Sequence, residues 1–235
     1  MKPVLQLPLD LPHRPAYGRE DFMVAPSNQA AVALIDAWPR WPQPVAALYG
    51  PRGSGKTHLG QVWRRSSDAL ELSASSLAGV RLPKLISSNR AILLTGLEQA
   101  LGDDAVFCEQ LLHLYNMVLE EGVSLLLIGL TPPARWQCDL ADLKSRLSAV
   151  QAVALGQPDE ALISAILIKH FSDRQLRVTP EILDYILPRM ERSFAAADHV
   201  VAAIDRAALA RKSKVSLSLV REALAEVAGS KLATG

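Results

Sequence analysis

Gly50-Pro51-Arg52-Gly53-Ser54-Gly55-Lys56-Thr57 limits what this chain can fold into more than any other stretch. The spacing is G-x-x-x-x-G-K-[ST], and its flanks agree with it. Val45 to Tyr49 reads as a short buried strand running into the loop, and Thr57 to Arg64 as the helix leaving it. Glycines at these positions let successive backbone N–H groups turn inward around an anion, and the helix start adds unpaired donors and a positive dipole end. Lys56 then reaches the β- and γ-phosphate oxygens of a nucleotide, and Thr57 offers its hydroxyl to Mg²⁺. Pro51, Arg52, Gly53, Ser54, Gly55, Lys56, Thr57 and His58 are the candidate contacts for ADP or ATP. A glycine-rich turn that holds nothing is the bland alternative, and the flanking strand and helix count against it.

With 235 residues the chain can build one sizeable core, or one core and a small appended domain. A formal charge of +1 leaves no basic surface for nucleic acid and no acidic tail, so direct sequence-specific DNA binding is not expected. Cys108 and Cys138 share no metal or redox spacing and read as reduced thiols. No apolar run reaches the roughly 18 residues of a membrane span, and no signal-peptide pattern precedes the rest. A cytoplasmic location is expected.

The first dozen residues carry prolines at 3, 8 and 12 and have no helical period, so they should be extended and outside the core. Within them Gln6, Leu7, Leu9 and Leu11 form Gln-Leu-x-Leu-x-Leu. Such a peptide can dock its leucines in an apolar groove while the Gln amide orients it, although a leader with incidental leucines satisfies the same residues. Ser27 is positioned to cap a helix from Asn28 to Trp38, and the tryptophans of the following Pro-rich connection read as packing anchors.

Ala69 to Ser73, Ala91 to Thr95, Ser124 to Leu130 and Val150 to Leu155 read as further strands. Ala105 to Glu121 is the clearest amphipathic helix, with Val106, Leu111, Leu112, Tyr115, Val118 and Leu119 on its apolar side and His113 an ordinary surface residue. Asp139 to Leu147 is a short helix. Apolar strands alternating with helices predict a five-stranded parallel sheet covered on both faces. After Gln157 the pattern is helical only: Pro158 to Arg174, Pro180 to Leu187, Arg192 to Arg211 and Leu217 to Ala228. The expected organisation is an extended tail over 1–15, an α/β nucleotide-binding domain over 16–157 and a small all-helical lid over 158–235.

The phosphate loop, the later Asp142-Leu143-Lys144-Ser145-Arg146-Leu147, the helical lid with Arg192-Ser193-Phe194, and the N-terminal Gln-Leu-x-Leu-x-Leu together resemble the AAA+ family of bacterial DnaA. They are most similar to its short regulatory branch, because the helical lid is the last element expected and no helix-turn-helix domain follows it. The resemblance covers nearly the whole chain. It implies that Arg146 is the arginine that reaches across a subunit boundary to charge developing on a transferred phosphoryl group. In that role it would help DnaA hydrolyse its own ATP and so prevent re-initiation of chromosome replication. From spacing alone, Arg146 is equally a helix-surface residue paired with Asp142 at i,i+4. The resemblance likewise implies that Gln6, Leu7, Leu9 and Leu11 bind the DNA polymerase sliding clamp, that DnaA docks against the AAA+ interface, and that a homo-oligomer is an option.

The departures from the family's pattern carry equal weight. Hydrolysing members end the third strand in two acidic residues, and here Thr95-Gly96 stand there, with Glu98 a partial substitute two residues on. The polar sensor after the fourth strand falls at Ile128-Gly129. The lid's sensor arginine falls at Ala195, with Arg192 one turn earlier as a stand-in. The expectation is a chain that holds nucleotide, ADP in particular, and hydrolyses little or none itself. An autonomous AAA+ ATPase or loader subunit acting in replication is the alternative, and a scaffold with an unused site is a third reading.

Overall fold

The structure, a computed structural model, describes residues 23–97 and 105–232, with side chains as far as 227. These residues form two units that divide between Gln157 and Pro158.

In the first unit, strands β1 (Val45–Tyr49), β2 (Leu70–Ser73), β3 (Ala91–Thr95), β4 (Ser124–Gly129) and β5 (Gln151–Ala154) form one parallel sheet in the order β2-β3-β4-β1-β5. Alternate residues of a strand point to opposite faces, so a strand buried on both sides must be apolar throughout. Val45, Ala47, Ile92, Leu94, Leu125 and Leu127 accordingly enter one core, and Ala46, Leu48, Leu93, Leu126 and Ile128 enter the other.

The second of those cores is covered by α1 (Gln29–Asp36) and α2 (Lys56–Ser67). Gly60 of α2 lies flat on the sheet, for a Cβ there would meet Ile128 Cδ1 at 2.5 Å. Trp63, fully buried, stacks on Trp41 at 5.4 Å between ring centres and meets the edge of Trp38 at 6.2 Å. The connection's tryptophans are thus packing anchors. Helix α1 begins one residue later than expected. Asn28 is its N-cap position, and the Asn28 side chain braces the preceding turn by accepting from Ala25 N and donating to Met23 O.

The other core is covered by α3 (Ala74–Leu77), α4 (Leu82–Ser88), α5 (Ala105–Glu121) and α6 (Ala141–Ser148). In α5 the buried face is Phe107, Cys108, Leu111, Leu114, Tyr115 and Val118, whereas Val106 is 60% and Leu119 38% exposed. The apolar arc is wider than the face that packs, and the sheet and α4 select which part of it is used. His113 is exposed, and no cluster of metal ligands occurs among the described residues. Cys108 and Cys138 are free thiols, and no described helix is long and apolar enough to cross a membrane.

The second unit consists of α7 (Glu160–Asp173), α8 (Pro180–Ile186), α9 (Phe194–Arg211) and α10 (Leu217–Leu232). Asp159 caps α7 by accepting from Leu162 N at 2.7 Å, and Ser193 caps α9 by accepting from Ala196 N at 3.1 Å. Leu162, Ile163, Ile166, Leu167 and Phe171 of α7 are buried, as are Val200, Val201 and Ile204 of α9.

Arg174 is nearly buried and donates to Asp198 Oδ1 at 2.9 Å and to His170 O at 3.3 Å. Burial pushes the His170 imidazole below its usual range, with Asp198 and then Asp173 pulling the other way and Arg174 and Lys169 adding to the depression. The unfolded chain therefore takes up this proton more readily than the folded one. Stability of the unit should fall as pH drops through and below about 6.5, and His170→Gln should flatten that fall. Melting curves from about pH 7.5 to 5.5 test this, and a parent profile as flat as the variant's would refute it.

Candidate functional site

The end of β1 delivers the chain into a loop that only its glycines allow. Gly50 has φ +151°, and a Cβ there would lie 2.1 Å from Leu155 O. Gly53 and Gly55 are left-handed at φ +76° and +91°, after which α2 begins directly at Lys56. Such reversals turn successive N–H groups toward one centre, and α2 aims its first free donors at the same place.

Lys56 is buried at 7% exposure. Its ammonium donates to Gly50 O at 2.7 Å and Pro51 O at 2.8 Å, with Ser54 Oγ at 3.5 Å, so it lies folded across the loop. Ser54 is buried, His58 is half-buried, and Pro51, Arg52 and Thr57 face solvent. A converging set of N–H donors with one ammonium and one open hydroxyl fits a polyphosphate chain and its accompanying Mg²⁺. The loop and Lys56 would hold the phosphates, and Thr57 would give its hydroxyl to the metal.

Among the described residues, the ends of the neighbouring strands β3 and β4 carry no carboxylate. β3 closes with Thr95, whose hydroxyl donates to Leu72 O at 3.4 Å, and Gly96 follows at φ +75°. A glutamate at 96 would be strained in that conformation by about 1–2 kcal/mol. Glu98 lies outside the described residues. β4 closes with Ile128, buried against α2, and Gly129, which pairs in register with Tyr49. The face of Gly129 is covered by Trp136, a residue that no sequence pattern singled out.

Arg146 sits on α6, one third exposed, with Nε 3.1 Å from Asp142 Oδ1 and its guanidinium carbon 5.9 Å from the centre of the Tyr115 ring. Burial pushes the Tyr115 phenol up, and Arg146 partly offsets this. The i,i+4 pair expected from spacing is therefore formed. Half in water, it is worth less than about 1 kcal/mol, so the guanidinium is available to a stronger anionic partner. None of its hydrogen bonds or ion pairs involves residues 50–58.

Arg192 belongs to the helical unit and pairs with Glu160 at 3.0 Å, both side chains largely in solvent. It precedes the Ser193 cap of α9 and so is outside the helix, which removes the one-turn relation to Ala195 that the sequence suggested. Gln6, Leu7, Leu9 and Leu11 lie outside the described residues.

The architecture matches domain III of the Thermotoga maritima replication initiation protein DnaA with a TM-score of 0.76 and 18% identity, over 92% of this chain and 98% of that one. The fold is the AAA+ fold of DnaA. AMPPCP-bound DnaA from Aquifex aeolicus matches at TM-score 0.68 and 20% identity, over 81% of this chain and 65% of that one. An uncharacterized protein of Haemophilus influenzae is 24% identical over 195 residues, 77% of this chain and 82% of its own length. No protein-family profile matches the chain. In AAA+ terms, the DnaA-like framework carries an intact phosphate loop beside strand ends without carboxylates among the described residues.

Proposed function

We propose that this chain is a DnaA-related regulator of replication initiation of the Hda kind, the factor for regulatory inactivation of DnaA. It holds ADP or ATP with Mg²⁺ at residues 51–58, hydrolyses it slowly if at all, and lends Arg146 to ATP bound by DnaA. The observation that carries this reading is the contrast within one sheet. A complete phosphate cradle stands beside Thr95-Gly96 and Gly129, and a loosely held arginine sits on the outside of the same unit.

The Gln6, Leu7, Leu9, Leu11 peptide would bring the protein to the sliding clamp on replicated DNA. Gln6→Ala with Leu9→Ala is expected to abolish retention on immobilised clamp while leaving the melting temperature within about 2 °C, as a tail that contributes nothing to the core would require. Unchanged retention would remove this part of the proposal.

The test of the whole is hydrolysis of DnaA-bound ATP in the presence of this protein, clamp and DNA, each omitted in turn. Stimulation should require all of them. Brisk turnover by the chain alone, abolished by Lys56→Ala, would instead identify an autonomous ATPase or loader subunit.

A further inference from the structure

Helices α4 and α5 pack against each other, and a groove of about 680 Å³ opens along their contact. On one side it is lined by Val80, Arg81, Leu82 and Lys84, from the start of α4 and the turn before it, and on the other by His113 and Met117 of α5. Leu82 is buried, and the half-buried Val80 and Met117 pack against the same core cluster, so the groove has an apolar base continuous with the core. Arg81, Lys84 and His113 are exposed around it.

The charges here are unbalanced. No lining residue is acidic, and among the described residues Arg81, Lys84 and His113 form no ion pair with a carboxylate. Elsewhere on the same unit Arg64 is paired with Glu71 and Arg146 with Asp142. Two fixed cations and an imidazole around aliphatic and thioether surface match a ligand that is apolar at its centre and anionic at its flanks. A protein segment with aliphatic side chains between Glu and Asp has that chemistry. A nucleic-acid single strand would supply the charge but not the centre, since its bases are held by stacking and no Phe, Tyr or Trp lines the groove.

We propose that this groove docks an acidic, leucine-bearing segment of a partner protein, with its apolar side chains on Val80, Leu82 and Met117 and its carboxylates at Arg81 and Lys84. The surface is separate from the one that presents Arg146. His113 and Met117 lie one turn apart on one side of α5. Tyr115, which Arg146 approaches, lies on the opposite side, because two residues turn a helix by about 200°. A segment seated in the groove therefore leaves Arg146 open, and docking needs neither nucleotide nor the phosphate loop.

Fluorescence anisotropy with the full chain tests this. The probes are short synthetic peptides in which Glu and Asp flank a pair of leucines, their counterparts carrying Gln and Asn instead, and single-stranded oligothymidylate. The acidic peptides should bind with Kd on the order of 100 µM or tighter, and the amide counterparts at least about tenfold more weakly. Arg81→Glu with Lys84→Glu should weaken the acidic peptides by about 10- to 30-fold while moving the melting temperature by less than about 2 °C, since both side chains are exposed. Replacing the peptide leucines by alanine should cost at least about fivefold, a loss that charge attraction alone would not produce. Arg146→Ala should bind the peptides as the parent does.

Four results overturn the assignment. They are failure of every acidic peptide to bind, binding that survives the double charge reversal, and binding indifferent to the leucines. The fourth is oligothymidylate binding more tightly than any peptide and depending on Arg81 and Lys84, which would make the occupant a nucleic acid.

Discussion

Arg146→Ala is expected to lower stimulated hydrolysis of DnaA-bound ATP by about 10³-fold or more, the scale on which an arginine supplied in trans stabilises phosphoryl transfer. The same change should hardly affect the fold. Arg146 makes one ion pair with a largely exposed Asp142 and a 5.9 Å approach to the Tyr115 ring. Exposed contacts of these two kinds contribute less than about 1 kcal/mol each. Catalytic loss without loss of stability distinguishes a charge lent to a neighbour from a charge that holds α6 in place. Arg146→Lys should recover little of the activity, because a lysine lacks the planar fork that meets two phosphoryl oxygens at once. Single-turnover hydrolysis by preloaded DnaA, with clamp retention and melting temperature as controls, measures all three quantities. Equal stimulation by Arg146→Ala and the parent would mean that the catalytic charge comes from elsewhere.

Lys56→Ala should weaken nucleotide binding by about 10²- to 10³-fold. Two charge-assisted hydrogen bonds to phosphate, at about 1.5–3 kcal/mol each and partly offset by water, give that range. The protein without nucleotide should also lose stability, by about 1–2 kcal/mol, because Gly50 O and Pro51 O would lose the buried ammonium that satisfies them. Thermal shift separates the two effects. Saturating ADP should raise the parent's melting temperature and leave that of the variant nearly unmoved, since ligand stabilisation scales with ln(1 + [L]/Kd). A variant stabilised as strongly as the parent would show that phosphate is held without Lys56, and the loop would lose its assigned role.

What the residues disclosed and what they hid follows from how far each signal reaches. The apolar runs at 45–49, 91–95 and 124–129 are buried on both faces, so each is continuous and unambiguous, and the glycine spacing of 50–57 is needed locally whatever packs around it. The sequence does not disclose α3 and α4, because Ala74–Leu77 and Leu82–Ser88 are too short to repeat a helical period; the local cue is Pro83 in the first turn of α4. The sequence pattern puts Val106 and Leu119 on the buried face of α5, where the packing leaves them exposed, because Phe107, Cys108 and Leu114 make the apolar arc too broad to define a single face. The helical pattern runs back to Arg192, whereas Ser193 caps α9, a start that the Ser-Phe-Ala-Ala run itself signals. At the site itself, the missing acid pair was legible in Thr95-Gly96, but the covering of Gly129 was not. The indole arrives from seven residues downstream through a proline turn, and no periodicity connects the two positions.

The flat seating of Gly60 on Ile128 has a bearing on how tightly the loop can hold what it binds. With no side chain between helix and strand at that point, the first turns of α2 are keyed to β4, and the donors at the helix start are aimed before any anion arrives. The cost of arranging them is met when the chain folds rather than when ligand docks. Affinity at such a preorganised cradle is then limited by desolvating the incoming phosphate, not by immobilising the protein around it.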